Sequence, residues 1–197
     1  TNITYAHAKN FKNIKQIALA KSEIISNTKD NGFIVLNADD NFFTFHKKIA
    51  LKKNLKIVSF GIKSKYSNIK FINIKKFKKK FKVTIKINHL KTYFLIPNDF
   101  ENYISNILAA LAVMSIFLDV SKLNKNIFKN FKVPNGRGDI SKIKINKKNL
   151  NLIDESYNSN PLSLKSALKN FDMIKVNNSK IKWKLQKNII LAKAHRF

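Results

Sequence analysis

Two short, largely apolar runs constrain the fold of this chain more than any other feature of its sequence. FIVLN (33–37) follows Gly32, and LKIVSF (55–60) is ended by Gly61. Runs of this length and composition suit strands that are buried on both faces of a parallel sheet. Before the first run, apolar residues recur at roughly helical spacing between residues 11 and 25. Strands that alternate with helices predict an α/β fold with a mainly parallel sheet.

The apolar period changes to two between residues 69 and 96, which predicts an antiparallel extension of that sheet. Residues 89–91 have the composition of a hairpin tip. Pro97-Asn-Asp99 is then predicted to cap a buried helix that continues to about residue 118. A second helix is predicted over residues 121–131.

Pro134-Asn-Gly136 interrupts the chain and is the predicted domain boundary, which gives domains over residues 1–134 and 135–197. The predicted elements of the second domain are strands in ISKIKI and NLIDE and a helix from Pro161 to about Ile174.

The stretch LIDESYNSNP (152–161) is a strand, the loop at its carboxyl end, and the first residue of a helix, where proline is favoured. Ligands bind at the carboxyl ends of the strands in such sheets, so this polar loop is a candidate binding site. Helix capping by Asn160 is the structural alternative.

The sequence also predicts the local structure of three further segments. Residues 1–5 have the β-branched and aromatic composition of a strand end, and the chain starts as abruptly as if it were cut inside a domain. Ala38-Asp-Asp-Asn41 offers N-caps for a helix. The stretch after residue 180 is predicted as a basic helix without a function.

The formal net charge of +28 comes almost wholly from lysine, because Arg137 and Arg196 are the only arginines. Proteins that recognise bases usually use arginine forks, so the lysines favour solvated faces over a specific nucleic-acid site. A basic nucleic-acid-binding module stays as an alternative. The chain has no cysteine, which fits a reducing cytosol, and it shows neither a signal peptide nor an apolar run of about 18 residues.

Polar motifs lie near the predicted strand ends and helix starts, and they contain residue types that are used in catalysis or nucleotide binding. Singly each is weak, because a lone histidine or helix lysine is more often structural or at the surface. Besides the loop at 152–161, the motifs are NITYAH ending at His7, AKSE containing Lys21, LNADD over 36–40, and Asn106-Ile-Leu-Ala-Ala110 followed by Gly136-Arg-Gly138.

Together and in this order, the motifs resemble those of the Mur ligases, which are ATP-dependent amide-forming enzymes of bacterial cell-wall synthesis. NITYAHAKNF, AKSEI and NADD match family motifs, and IDESYNSNP nearly matches another. IDESYNSNP resembles the motif of the branch that joins D-alanyl-D-alanine to UDP-N-acetylmuramoyl-tripeptide. In the other branches, AHTP or AHNP is expected at this place. The resemblance covers about residues 1–175.

The resemblance implies a three-domain enzyme, with residues 1–134 in the central ATP-binding domain and 135–197 in a Rossmann-like carboxy-terminal domain. It implies that ATP phosphorylates the peptide carboxylate, that the amine of D-alanyl-D-alanine attacks the acyl phosphate, and that phosphate leaves. The implied cofactors are ATP and Mg²⁺. The implied partners are the two substrates, without specific nucleic acid or membrane insertion, and the protein would be a cytoplasmic monomer.

The resemblance also assigns roles to individual residues. His7 matches a magnesium-ligating histidine, although magnesium prefers oxygen ligands. Lys21 matches a lysine that is carbamylated in related enzymes, where the carbamate becomes an oxygen ligand for magnesium. Both are the implied catalytic residues. The implied nucleotide and dipeptide contacts are Asn106 near adenine, Arg137 near ATP at the domain junction, and Asp154, Tyr157 and Asn158.

The chain departs from the family pattern in several places. A GxxGK[ST] phosphate loop is absent from the sequence, so the chain is expected to be inactive alone. Asn102 replaces a usual histidine, and Glu155 stands where a second aspartate is expected. The tail after Phe171 suggests a truncation or a shifted reading frame. Another Mur-type ligase or a folylpolyglutamate-type ligase is the alternative within this enzyme class.

Overall fold

A computed structural model describes residues 2–4, 11–97, 103–145, 147–157, 164–165, 167–168 and 189–192. His7, Asn158, Asn160 and the predicted cap at residues 98–99 lie outside these ranges. The chain divides into two compact units, Thr1–Phe131 and Lys132–Phe197, and each is described by itself. The assignment of an ATP-binding and a ligase domain stays a prediction. Within the described ranges, no helix has the length and apolar character needed to cross a membrane.

The first unit is a five-stranded sheet with helices. Its strand order is β1-β2-β3-β4-β5, in which β1, β2 and β3 run parallel and β4 and β5 continue the sheet antiparallel. The predicted α/β class and the antiparallel extension are therefore confirmed. The elements are α1 (Ile14–Ser26), β1 (Phe33–Asn37), α2 (Phe43–Lys52), β2 (Lys56–Gly61), β3 (Ile69–Phe77), β4 (Lys80–Ile87), β5 (Leu90–Pro97) and α3 (Ile104–Met114).

Helices cover both faces of β1 and β2. Ile34 and Ile57 pack on one face against a cluster to which α1 contributes Ile25 and α2 contributes Ala50. The next residue of each strand points to the other face, so that Val35 and Val58 pack against the larger core that contains α3. Burial on both faces is why these two runs are apolar without alternation.

The antiparallel extension is a ribbon of three strands joined by two-residue turns. The predicted hairpin is present, but its turn is Asn88-His89, because Leu90 and Lys91 of the predicted tip already pair in β5. Asn88 adopts φ +50°. The turn between β3 and β4 is Lys78-Lys79, with Lys78 at φ +55°. Left-handed backbone at the first turn residue matches the right-handed twist of the strands.

The helix predicted over residues 121–131 is wrong. The structure has a single 3-10 turn at Val120–Lys122 followed by irregular turns. Two competing interactions explain this difference. The Asn124 side chain accepts the backbone N–H of Asn126 at 2.9 Å, and the carbonyl of Lys125 accepts the N–H of Leu95 at 2.8 Å, which holds the segment along β5. The preceding helix α3 ends at Met114 rather than near residue 118.

The strand predicted at residues 1–5 is also wrong for the described residues 2–4, which have no regular secondary structure. The Ile3 backbone N–H donates to the Asp40 carboxylate at 2.7 Å instead of to a neighbouring strand. A side-chain acceptor thus takes the place of the strand-to-strand hydrogen bonds that the composition of this segment predicts.

The second unit contains β6 (Asp139–Ile145), β7 (Lys148–Asp154) and β8 (Ile189–Ala192), in the order β6-β7-β8. β6 and β7 are antiparallel, and β8 is parallel to β7. Residues 164–165 and 167–168 are helical, as predicted for this segment. The basic helix predicted after residue 180 is wrong at Ile189–Ala192, because the apolar run IILA pairs with β7 as a strand. Parallel strands joined through a helix form the unit of Rossmann-like sheets.

Candidate active site

The NADD motif at the carboxyl end of β1 fixes the loop that follows β2. The Asp39 carboxylate accepts the backbone N–H groups of Ile62 at 2.5 Å, Lys63 at 3.0 Å and Ser64 at 2.7 Å. The prediction that Ala38–Asn41 caps a helix is wrong, because the N-cap of α2 is Phe42 and no side chain bonds there. Three converging N–H groups bind the Asp39 carboxylate more strongly than the start of a helix would.

The same loop leaves little room for a side chain at Gly61. A Cβ atom there would lie 3.0 Å from Asp39 Oδ1 and 3.0 Å from the Ser64 Cβ. Asn68 anchors the far end of the loop, since its Oδ1 accepts both the backbone N–H and the hydroxyl of Ser59 at 2.8 Å. Sequence reasoning missed Asn68, and its only signal was an asparagine directly before a strand.

Asp40 and Asn37 hold the segment that leads to His7. Asp40 Oδ1 accepts the N–H of Phe42 at 2.8 Å, while its other oxygen accepts that of Ile3. The Asn37 amide donates to Asn2 Oδ1 at 2.7 Å. The chain therefore lies at the carboxyl end of β1 four residues before His7, and His7 itself lies outside the described residues.

Lys21 and Asn106, two of the predicted site residues, are exposed on helices that cover opposite faces of the sheet. Lys21 is on α1, and Asn106 is the third residue of α3. Each stands outside the buried stripe of its helix. No contact between the two is part of the described geometry of this unit, so their common role stays a prediction.

His46, which sequence reasoning missed, fastens α2 to the helix that carries Lys21. Its side chain is buried, and Nε2 lies 3.0 Å from the carbonyl oxygen of Ala18. Because a carbonyl only accepts, Nε2 carries the proton. Ala18 precedes Lys21 by three residues on α1, so this hydrogen bond fixes the turn on which Lys21 lies. A histidine within the apolar face of α2 was the available signal.

In the second unit, the structure brings three predicted residues together at the carboxyl end of β7. The guanidinium carbon of Arg137 lies 3.9 Å from the centre of the Tyr157 ring. The Tyr157 N–H donates to the carbonyl of Gly136 at 2.9 Å, and the Gly138 N–H donates to that of Asp154 at 2.6 Å. Two backbone hydrogen bonds and one cation–π contact therefore join the segment 136–138 to the segment 154–157. Asn158 lies outside the described residues.

Gly136 is required at this junction for two reasons. It adopts φ +74°, where a side chain is strained, and a Cβ would meet the Tyr157 backbone nitrogen at 3.0 Å. Its own N–H donates to Asp139 Oδ1 at 2.6 Å. The sequence signal for this turn was the Asn-Gly pair at 135–136.

The Asp154 carboxylate is held in its ionised form. Hydrogen bonds from the Ser156 side chain and then from the Ser156 backbone N–H, 2.9 Å from Oδ1, lower the pKa of Asp154, and burial opposes them only weakly. A negative charge at the carboxyl end of β7 can accept a hydrogen bond from a ligand hydroxyl or bind a cation.

Among the residues that the structure describes, no three His, Asp or Glu side chains lie together as a metal site. The predicted magnesium ligands were His7 and the carbamate of Lys21, and only Lys21 is described. The described residues alone do not form a magnesium site, and the placement of that ion stays a prediction.

Comparison with known proteins identifies the family and the fold. The profile of the Mur ligase middle domain matches residues 1–114. A UDP-N-acetylmuramoyl-tripeptide--D-alanyl-D-alanine ligase of Rickettsia prowazekii (strain Madrid E) is 29% identical over 180 residues, which are 90% of this chain and 38% of that protein.

Solved structures show the same fold. MurF from Acinetobacter baumannii has a TM-score of 0.70 at 21% identity, and the match covers 88% of this chain and 36% of that one. MurF from Thermotoga maritima in complex with ADP has a TM-score of 0.64 at 17% identity, covering 85% of this chain and 37% of that one.

The fold and the matched profile define an α/β protein of the kind that forms the central domain of amide-forming ligases. The chain belongs to the Mur ligase family, which confirms the resemblance found in its motifs. It spans 38% of the length of the Rickettsia protein.

Proposed function

We propose that this chain provides part of an enzyme that joins D-alanyl-D-alanine to UDP-N-acetylmuramoyl-tripeptide with ATP, in the cytoplasm and as a monomer. The name of the Rickettsia protein supports this substrate pair, and the ADP complex of Thermotoga MurF supports the nucleotide. The observation that carries the proposal is the joined cluster of Arg137, Asp154 and Tyr157, in which Asp154 and Tyr157 belong to the motif that distinguishes this branch.

The cluster can perform three tasks. Arg137, held on the Tyr157 ring, presents a fixed cation to a phosphate group and stabilises negative charge that develops there. Ionised Asp154 accepts hydrogen bonds from a ligand hydroxyl. The segment around Tyr157 orients the incoming dipeptide, with Asn158 beside it in sequence.

The first unit contributes the remaining proposed contacts. Asn106 would contact the adenine, and Lys21 as a carbamate, together with His7, would hold magnesium. ATP supplies the phosphoryl group that converts the peptide carboxylate into an acyl phosphate and is released as ADP. The dipeptide amine then forms the amide bond, and inorganic phosphate leaves with the C–O bond electrons. Exclusion of water protects the acyl phosphate.

A chimera tests this proposal. Residues 1–175 would replace the matching segment of Acinetobacter MurF, which supplies the other segments of a Mur ligase. We expect phosphate release that requires both the nucleotide tripeptide and D-alanyl-D-alanine, and a loss of at least about 100-fold for Arg137→Ala. A folded chimera that bound ATP and both substrates but released no phosphate would contradict the proposal. The 197-residue chain alone is expected to form no amide bond.

A further inference from the structure

The solvent face of the β3–β5 ribbon carries a two-dimensional set of lysines, here called the lysine array. Opposite residues of antiparallel strands lie on one face, and the strand pairing therefore defines its members. The other face of the same strands packs into the core through Val83, Ile85 and Phe94. The lysine array consists of Lys70 and Lys75 on β3, Lys82 and Lys86 on β4, and Lys91 on β5. Lys80 shares this face, but its Nζ donates to Asn126 Oδ1 at 3.2 Å, and it is therefore left out of the array.

The array places like charges directly opposite each other. Lys70 pairs with Lys86, Lys75 with Lys82, and Lys86 also with Lys91 across the other side of β4. Directly opposed like charges destabilise a sheet. The sequence offers no compensation nearby, because residues 41–98 contain 16 lysines and neither aspartate nor glutamate. A bound polyanion would remove this repulsion, whereas an ordinary solvated face would leave it.

The surroundings of the array favour a narrow ligand over a flat one. Gly61 of β2 pairs with Lys70, so the array continues the face of β2 that includes Ile57. Ile57 packs against α1 and α2, and the helix layer therefore stands on the same side of the sheet as the array. A helix layer is about 10 Å thick. The helix layer would keep a flat bilayer from reaching the ribbon. An extended chain, which is narrower, could still lie on the ribbon next to the helices.

The chemistry of the array indicates contact with phosphates rather than with bases. Its cations are lysines, which bind phosphate as point charges and lack the fork that arginine offers to guanine. The Tyr93 ring, on the same face, is already covered by Lys82 at 4.2 Å and approached by Lys125 at 5.8 Å. The exposed Phe77 ring on this face lies at the end of β3, beyond Lys75, so a base could stack beside the array but not within it.

We propose that the lysine array binds the phosphate backbone of single-stranded nucleic acid without regard to sequence. This function is separate from amide ligation, since none of the array residues belongs to the proposed active site. It also differs from a general effect of net charge, because it depends on where the lysines are.

The test compares two triple variants of equal net charge in the full chain. Lys75→Gln, Lys86→Gln and Lys91→Gln remove part of the array, while the control replaces the exposed Lys12, Lys15 and Lys29 by glutamine. Binding of a fluorescent oligothymidine of about 20 nucleotides is measured by anisotropy over a salt series. We expect the array variant to lower the slope of log K against log salt by about 2 and the affinity at least about tenfold, and the control to match the wild type.

Two results would overturn the proposal. Equal losses in both triple variants would mean that net charge alone attracts the oligonucleotide. Array-dependent binding to vesicles of phosphatidylserine and phosphatidylcholine, at salt where the oligonucleotide does not bind, would assign the array to a membrane surface. Thermal melts of both variants check the fold, and the array variant is expected to melt at or above the wild-type temperature because like-charge pairs are removed.

Discussion

The guanidinium of Arg137 lies over the ring of Tyr157, with 3.9 Å between the guanidinium carbon and the ring centre. Twenty residues separate the two in sequence, and the backbone hydrogen bond from Tyr157 to Gly136 brings them together. An exposed arginine normally samples many rotamers. Because the Tyr157 ring already restricts the Arg137 side chain, that side chain loses less conformational entropy when it binds a phosphate.

The contact predicts energetic coupling between Arg137 and Tyr157. In a double-mutant cycle with Arg137→Ala and Tyr157→Ala, the coupling free energy from urea unfolding is expected to be about 0.5–1 kcal/mol. Tyr157→Phe keeps a ring and should retain most of it. Tyr66→Ala, at a residue that is 95% exposed, is the control and should show no coupling to Arg137. A coupling of zero for the first pair would contradict the stacked geometry.

Asp39→Asn is expected to lower the free energy of unfolding by about 1–3 kcal/mol. The carboxylate accepts hydrogen bonds from the backbone N–H groups of Ile62, Lys63 and Ser64. The asparagine amide has only one acceptor oxygen, and its NH₂ group would face N–H groups with which it cannot form a hydrogen bond. Denaturant titration followed by circular dichroism measures the change. Asp30→Asn is the matched control, because Asp30 forms an exposed ion pair with Lys53 and should change stability by less than about 0.5 kcal/mol. Equal effects of the two substitutions would contradict a special role for Asp39.

Lys78→Gly is expected to stabilise the chain by about 0.5–1 kcal/mol, because Lys78 has a left-handed backbone that costs a side-chain-bearing residue more than glycine. Lys79→Gly removes the same charge from the same turn at a residue without positive φ, and it should give no gain. The midpoint of thermal unfolding compares the two. A gain shared by both variants would indicate relief of charge repulsion rather than of backbone strain.

Ser156→Ala is expected to raise the pKa of Asp154, since the Ser156 hydroxyl is the main cause of its lowered value. A carboxyl whose pKa is lowered by folding adds stability above its unfolded pKa of about 3.9, and this stability is lost as pH falls through the folded pKa. The stability difference between wild type and variant should therefore be present at neutral pH and shrink under acid. Carboxyl ¹³C NMR titration measures the pKa directly, and an unchanged Asp154 curve would refute the assignment.

Much of this fold follows from local patterns. The runs at 33–37 and 55–60 are strands because continuous apolar residues suit burial on both faces, and the period of two predicts the ribbon. Local patterns fail where a distant partner competes. Residues 2–4 bond to Asp40, and the segment 121–131 bonds to β5, so neither forms the element that its composition favours.

The sequence by itself determined the class of the fold, most of its elements and the family, because periodicity and ordered motifs are properties of the chain alone. Only the tertiary structure decided which motif residues meet. It joined Arg137 to Tyr157, gave Asp39 to the loop after β2, and set Lys21 and Asn106 on opposite faces of one sheet. The reason is physical: these contacts depend on strand register and backbone turns that connect distant residues, and no local pattern encodes their distances.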